Sequence, residues 1–296
     1  MTAINPSIQP PHASLWLKSW QHFKQDRIGM LGLLIVLLYF LLACGVWLGL
    51  WGQGWSEISA QFNQGPSASH WLGTNAIGQD VAERGIYATK VAFEVGLVVT
   101  VLATLLGVLL GAVAGFYQGS WIDALLLWVM GVLDSIPFYL FVAAVAYAMA
   151  EHVFAMHMAM IAVFWTTVAR IIRSEVIALK QLEFVEAAQA MGQHHRAILW
   201  AHIIPNTSHL IIIQTTLIFV TAIKTEVILS FLGIGIKNGI SWGLMIAEST
   251  NDIQAGYFNN FLTASLLLFV LVIGFNFFSD ALQDALDPKI NSHHAK

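Results

Sequence analysis

Long apolar runs separated by short polar stretches organise this chain. The first covers residues 29–51, and others follow at about 91–116, 122–149, 153–172, 210–229 and 258–278. A helix needs about 20 apolar residues to cross a bilayer core, so the pattern predicts six transmembrane helices and an all-α polytopic membrane protein. The first run exceeds the roughly 7–15 residues of a signal-peptide core, so it reads as a retained span. Trp47, Trp51 and Trp55 cluster at its far end, where indole rings favour the membrane interface. Only Glu151 and His152 divide the third run from the fourth.

Composition narrows the class. Of 296 residues, 57% are hydrophobic and only 10% are charged, against roughly a quarter charged in soluble domains. Thirteen Lys and Arg against 17 Asp and Glu leave no basic run, which argues against a nucleic-acid partner. The single cysteine, Cys44, makes no internal disulfide. With six spans, one side collects Lys18, Lys24, Arg27, Arg170, Arg173, Lys180, Arg196, Lys289 and Lys296, and the other Arg84, Lys90 and Lys237. Nine cations against three predict that both termini are cytoplasmic, in a multi-pass protein of a bacterial inner membrane. The expected divisions are a tail (1–28), a first span (29–51), an extracytoplasmic segment (52–90), a five-helix core (91–284) and a second tail (285–296).

The cytoplasmic loop 173–209 is more than a connector. It predicts a helix over 176–191, rich in Ala, Leu, Glu and Gln, stopped at Gly192, then a second short amphipathic stretch over 196–203 before Pro205. Ala187, Ala188 and Ala190 leave one surface thin enough for a partner to approach, and Glu186 supplies a polar contact.

In this loop Glu186-Ala187-Ala188-x3-Gly192, with Pro205 thirteen residues on, resembles the EAA loop of ABC importer permeases. Of the residues before the proline, His202 and Ile204 match the peptide-importer branch. Trp16-x3-Trp20-x2-Phe23-Lys24-x2-Arg27 is similar to that branch's N-terminal tail, and Leu72-Gly73-Thr74-x3-Gly78-x-Asp80-Val81-x2-Arg84-x2-Tyr87 to its extracytoplasmic motif. Leu133-Asp134-Ser135-Ile136-Pro137, Glu226-x3-Ser230-Phe231-Leu232-Gly233-x-Gly235, Ser241-Trp242-Gly243 and the ending through Asp287-Pro288 extend the resemblance over about 16–288. It is to the second, C-type permease of dipeptide/oligopeptide importers, and it implies a type I importer permease fold. The partners it implies are a second permease, two cytoplasmic ATP-binding subunits and an extracytoplasmic substrate-binding protein, with a peptide as substrate. Residues 186–192 would then form the helix that sits on an ATPase. Lys90, Glu94 and Lys224 depart from the pattern of relatives. A permease for nickel or another small solute is an alternative, as is an ion-coupled secondary transporter using Lys224 and Glu226.

Other residues carry two readings. Ala103, Gly107, Gly111 and Gly115 put small residues on one stripe of the second span, a close-packing face whose partner is open. Asp134 and Glu226 are ionisable groups in spans; they contact a translocation pathway or fill structural roles, and Asp134 could instead satisfy backbone freed by Pro137. Lys224 and Glu226 lie about 200° apart on a helix and do not pair; the lysine is expected near an interface. The neighbouring histidines His194-His195 and His293-His294 read as solvated surface residues, and His152 and His157 as structural. No metal or other cofactor is expected. The chain has no Gly-Lys dipeptide and therefore no Walker A loop, so ATP chemistry would belong to another subunit, and the chain is not expected to be an enzyme.

Overall fold

A computed structural model describes residues 15–58, 61–149, 152–236 and 239–286. Glu151, Lys237, Lys289, Lys296, His293, His294 and the Asp287-Pro288 ending fall outside the described residues. The fold is all-α. Among the described residues the only β pairing is two isolated bridges, Ile58 with Gln79 and Thr74 with Asp80.

The helices are α1 (Leu15–Gln25), α2 (Arg27–Trp47), α3 (Val81–Phe116), α4 (Trp121–Ser135), α5 (Phe138–Ala148), α6 (Ala155–Leu179), α7 (Glu183–Ala190), α8 (Ser208–Phe231), α9 (Trp242–Gln254) and α10 (Asn259–Leu286). Of these, α2, α3, α6, α8 and α10 are long and apolar enough to cross a membrane. Aspartates start two of them. Asp26 accepts from the Ile28 and Gly29 amides at 2.9 and 3.2 Å, and Asp80 from the Glu83 amide at 3.0 Å, satisfying donors that the first helical turn leaves free.

The third expected span is not one helix. Helices α4 and α5 meet at 93°, the geometry of a broken span or a re-entrant loop rather than of one straight crossing. Pro137 is the cause: it has no N–H, and its ring pushes the preceding residue out of helical geometry. Ile136 accordingly sits at φ −94, ψ 131, in extended conformation. The second span is also longer than expected. Its 36 residues begin at Val81, and at 1.5 Å per residue they reach about 54 Å, well beyond a bilayer core of about 30 Å. The outer turns of α3, including Arg84 and Lys90, therefore extend the helix into the segment expected to be extracytoplasmic. At the first span, Trp51 does not continue α2. It folds back, its indole N–H donating to the Leu42 carbonyl at 2.9 Å, and its ring covers Gly45.

Helix α3 is the centre of the bundle, and its small-residue stripe finds its partner in this chain. A Cβ on Gly107 would lie 2.5 Å from the Val168 Cβ, one on Gly111 2.5 Å from the Ala169 carbonyl oxygen, and one on Gly115 2.7 Å from the Arg173 carbonyl oxygen. The stripe, with Ala103 fully buried, thus lies on the backbone of α6 over more than two turns. A second close approach joins α2 to α10, where a Cβ on Gly32 would lie 2.6 Å from the Gly274 carbonyl. Phe93, Phe219 and Phe275 fill the space between α3, α8 and α10, with ring centroids 4.5 to 6.4 Å apart.

Helices α3 and α6 run parallel, α2 and α10 antiparallel, and polar contacts mark the two ends. At one end Lys180 donates to the Phe116 carbonyl at 2.6 Å, and Arg173 holds Asp123 through two bonds of 2.7 and 2.9 Å. At the other, Trp242 donates to the Gly85 carbonyl at 3.1 Å, and buried Arg84 pairs with Glu248 of α9.

The α3–α6 contact generates a prediction. Replacing Gly111 with leucine forces a side chain into the α6 backbone and should destabilise the bundle by about 1–3 kcal/mol. Gly131 on α4 has nothing within 4 Å of a built Cβ, and Gly131→Leu should be tolerated. Thermal unfolding of the detergent-solubilised chain checks the pair; equal midpoints for both variants would refute the close-packing account.

Candidate coupling surface and pathway cavity

The loop after α6 does not form the single helix expected over 176–191. Helix α6 runs on to Leu179, the chain turns over residues 180–182, and α7 starts anew at Glu183. Glu183 and Glu186 occupy the first turn of α7, where carboxylates favour the positive end of the helix dipole. Val185 and Ala188 are buried in the same apolar cluster as Phe116, Ile172, Val176, Ile198 and Ile203. The opposite side of α7 is bare: Phe184, Glu186, Ala187, Gln189 and Ala190 are exposed, and Met191 is 72% exposed. The thin surface expected from three alanines is therefore made by Ala187 and Ala190. Ala188 is corrected to an inward position, because one face of this short helix must bury itself to hold the helix in place.

Gly192 ends α7 in the manner its sequence position suggests. Its φ is +79, in the left-handed region that suits glycine. Its amide bonds to the Gln189 carbonyl at 2.9 Å, and the Gln193 amide reaches back to the Ala188 carbonyl at 3.2 Å. Both bonds of a Schellman cap are thus present. Gln193 then pairs with His202 Nε2 at 2.8 Å, tying the turn to the next segment. That segment is irregular rather than one amphipathic helix. It widens into π turns over Ile198–Ile203 just before Pro205, whose missing N–H and bulky ring disrupt the regular ladder there. Pro205 itself is exposed and lies in the connection to α8, away from the bare face of α7.

The break between α4 and α5 opens a wide-mouthed cavity of about 630 Å³, lined by Asp134, Pro137, Tyr139, Phe164, Thr166 and Thr221 among others. Its volume falls within the roughly 300–1,000 Å³ of small-molecule sites. Asp134 does not satisfy the backbone freed by Pro137; the Ile136 amide turns to the Leu133 carbonyl instead, at 3.4 Å. Its carboxylate pairs with Arg170 of α6 and accepts from Thr166 Oγ1 at 3.4 Å. Both partners stay half-exposed, Asp134 at 42% and Arg170 at 46%. From sequence, Arg170 is only a cation at a loop edge; that it lies one turn after Thr166, on the face opposite Asp134, is visible only in the fold.

Glu226 is placed differently. It is 1% exposed, it accepts from Ser230 Oγ, and Ser241 lies beside the same carboxylate. The α9 segment closes over this carboxylate and encloses it in protein. Lys224, two residues earlier, points the other way and is exposed. Helix α9 begins within a Gly-x-Ser-x-Gly spacing, Gly239-Ile240-Ser241-Trp242-Gly243, which in sequence resembles a nucleophile elbow. Ser241 is instead the cap of α9, accepting from the Leu244 amide at 3.3 Å, and among the described residues no strand precedes it.

Two further ion pairs are not evident from the sequence. Asp123 with Arg173, and Arg84 with Glu248, link residues 50 and 164 positions apart. Burial pushes the Glu248 carboxyl upward, and Arg84 beside it opposes that shift.

Over residues 107–292 the sequence matches the family described as binding-protein-dependent transport system inner membrane component. It is 33% identical to the dipeptide transport system permease protein DppC of Alkalihalophilus pseudofirmus, covering 97% of this chain and 96% of the relative. It is 31% identical to the oligopeptide transport system permease protein OppC of Bacillus subtilis, covering 96% and 92%. It is also 31% identical to the glutathione transport system permease protein GsiD of Pectobacterium atrosepticum, covering 94% and 92%. A multi-pass all-α bundle with a matching sequence over most of its length leaves one assignment: this chain belongs to the family of inner membrane components of binding-protein-dependent transport systems.

Proposed function

We propose that the chain is one of two membrane subunits of an ATP-driven importer of dipeptides or oligopeptides. Its relatives are named for such solutes, and the peptide-branch motifs run through the chain from Trp16 to the C-terminal end. In this reading it works with a second permease, two cytoplasmic ATP-binding subunits and an extracytoplasmic binding protein. It lies in a bacterial inner membrane with both termini cytoplasmic, and residues 91–284 form the permease core. The chain carries out no bond chemistry; it converts movement of the ATPases into access for the solute.

The observation that carries the coupling assignment is the two-sidedness of α7. Its inner face is anchored by Val185 and Ala188, and its outer face has no cover from this chain. Glu186, Ala187 and Gly192 are the contact residues proposed for an ATPase, with Ala188 and Pro205 acting from behind to set the angle of the helix. ATP binding would draw the ATPases together and displace α7. Because α7 is packed on the inner ends of α3 and α6, the displacement passes to the spans as a rigid-body tilt. Asp134 and the cavity at Pro137 would line the pathway. An ionised pair that is half-exposed at a span is too costly against lipid, so this face meets water or protein.

Two tests follow from this reading. In a Cys44→Ser background, cysteines placed at Ser67 and Ser292 should label from opposite sides of the membrane; labelling of both from outside would refute the six-span topology. For coupling, Glu186→Lys and Gly192→Leu should insert normally but lose ATPase co-purification or ATP-driven uptake. At Gly192 a leucine Cβ meets nothing within 4 Å, so its effect is backbone strain of about 1 kcal/mol or more. Gly192→Asn, which tolerates the left-handed conformation, should retain most activity. Normal assembly and uptake in both disruptive variants would remove the coupling assignment.

A further inference from the structure

Helix α8 presents an exposed stripe of Leu217, Thr221, Lys224 and Ile228, spaced four, three and four residues apart. Residues three and four apart share a helix face. Thr221 lines the cavity at the α4–α5 break, together with Asp134 and with Thr166 and Thr167 of α6. Lys224 therefore stands one turn beyond that cavity on the same side of α8, in the direction away from the α7 end.

The charges of this surface do not cancel. Asp134 on the cavity wall is paired directly with Arg170. Lys224 has no carboxylate within ion-pair distance among the described residues; the nearest acid along its helix, Glu226, is buried on the opposite side and bonded to Ser230. Lys224 thus adds a cation, without an ion-pair partner among the described residues, one turn beyond a cavity whose one charged wall residue, Asp134, is already paired. A cleft of one sign, between low-dielectric walls, concentrates solutes of the opposite sign.

We propose that Lys224 gives the translocation pathway a preference for anionic peptides over cationic ones, with the Asp134–Arg170 pair keeping the rest of the cavity neutral. Lys224 acts as a specificity-determining residue within this subunit, downstream of whatever the binding protein selects. This rests on the reading of the cavity as a peptide pathway. The solute class is recognised by charge alone: a carboxylate on the peptide approaches the ammonium, and a second ammonium on the peptide is repelled by it.

The test uses the complete complex with its binding protein in proteoliposomes. Maximal ATP-driven uptake is measured for three peptides, di-glutamate, di-alanine and di-lysine, each at saturating concentration. The binding protein is the same throughout, so a change in the di-glutamate to di-lysine ratio between variants reports on this chain. Lys224→Met should lower that ratio by several-fold, and Lys224→Glu should shift it further in the same direction, on the order of tenfold or more. Asp134→Asn, which leaves Arg170 uncompensated, should raise it. A purely structural role for these residues predicts equal losses for all three peptides and an unchanged ratio. If the parent complex takes up peptides but the lysine variants keep its ratio, the selectivity assignment falls while the peptide reading stands. If the parent complex takes up none of the three peptides with ATP, the peptide reading falls and takes this inference with it.

Discussion

Three glycines on α3 bring its backbone against that of α6, and this contact determines what the rest of the chain can do. No side chain separates the helices at Gly107, Gly111 or Gly115. Dispersion between closely packed backbones replaces the hydrophobic driving force that lipid cannot supply. One side of α6 is committed to α3 through Val168, Ala169 and Val176. Its other side is thereby left for Thr166 and Arg170, which face Asp134. The same helix leads, after a turn of three residues, into α7. The proposed coupling helix α7 and Arg170, the partner of Asp134, are therefore linked through one helix. In the proposed mechanism a push on α7 cannot bend α6 alone, because bending would open the glycine contacts; it must move α3 and α6 together.

The broken helix is the second constraint. Pro137 removes one backbone hydrogen bond and forces Ile136 into extended geometry, so the chain turns by 93° where a straight span would have filled the bundle. The space left by that turn is the cavity. Its exposed backbone needs polar surroundings. Asp134, Ser135, Thr166, Thr167 and Thr221 all lie around it. Ser135 bonds to the Val132 carbonyl at 2.7 Å, so part of this polarity serves the broken helix itself.

The membrane class, the crossing segments and the Gly192 stop were legible in the sequence because each is local: twenty apolar residues, or one glycine after a helical run. The glycine stripe was legible as a packing face, but its partner was not, since α6 lies more than fifty residues away along the chain. Pro137 was visible as a proline inside an apolar run. The size of the bend was not, because neighbouring helices decide whether a proline kinks a span or breaks it. The turn at residues 180–182 was hidden for a similar reason: the residues from 176 to 191 all favour helix, and burial of Val185 and Ala188 against the bundle sets where α7 restarts. Glu226 and Lys224 looked alike as charges in a span. Only their opposite sides of α8 distinguish a sealed carboxylate from an exposed ammonium.

Anchoring is uneven across the bundle, and this bears on which part is free to move. Helices α2, α3, α8 and α10 share the aromatic cluster and the Gly32–Gly274 approach, and α9 is tied to α3 by Trp242 and by Arg84 with Glu248. Helix α4 is held differently. It buries only Asp123 and Met130 fully, while Trp121, Leu125, Trp128 and Val132 remain exposed. Its fixed points are two arginines of α6: Arg173 grips Asp123 near the start of the helix, and Arg170 holds Asp134 near its end. The two-bond Arg173–Asp123 pair is mostly buried and the half-exposed Arg170–Asp134 pair is weaker, but both depend on distance and direction, whereas an apolar interface allows sliding. Helix α4 therefore follows α6 at both ends, with Met130 packed on Trp165 and Ala169 between them. Its outward apolar surface stays available to lipid or to a second membrane subunit, and its position along the cavity is dictated by the helix that leads to α7.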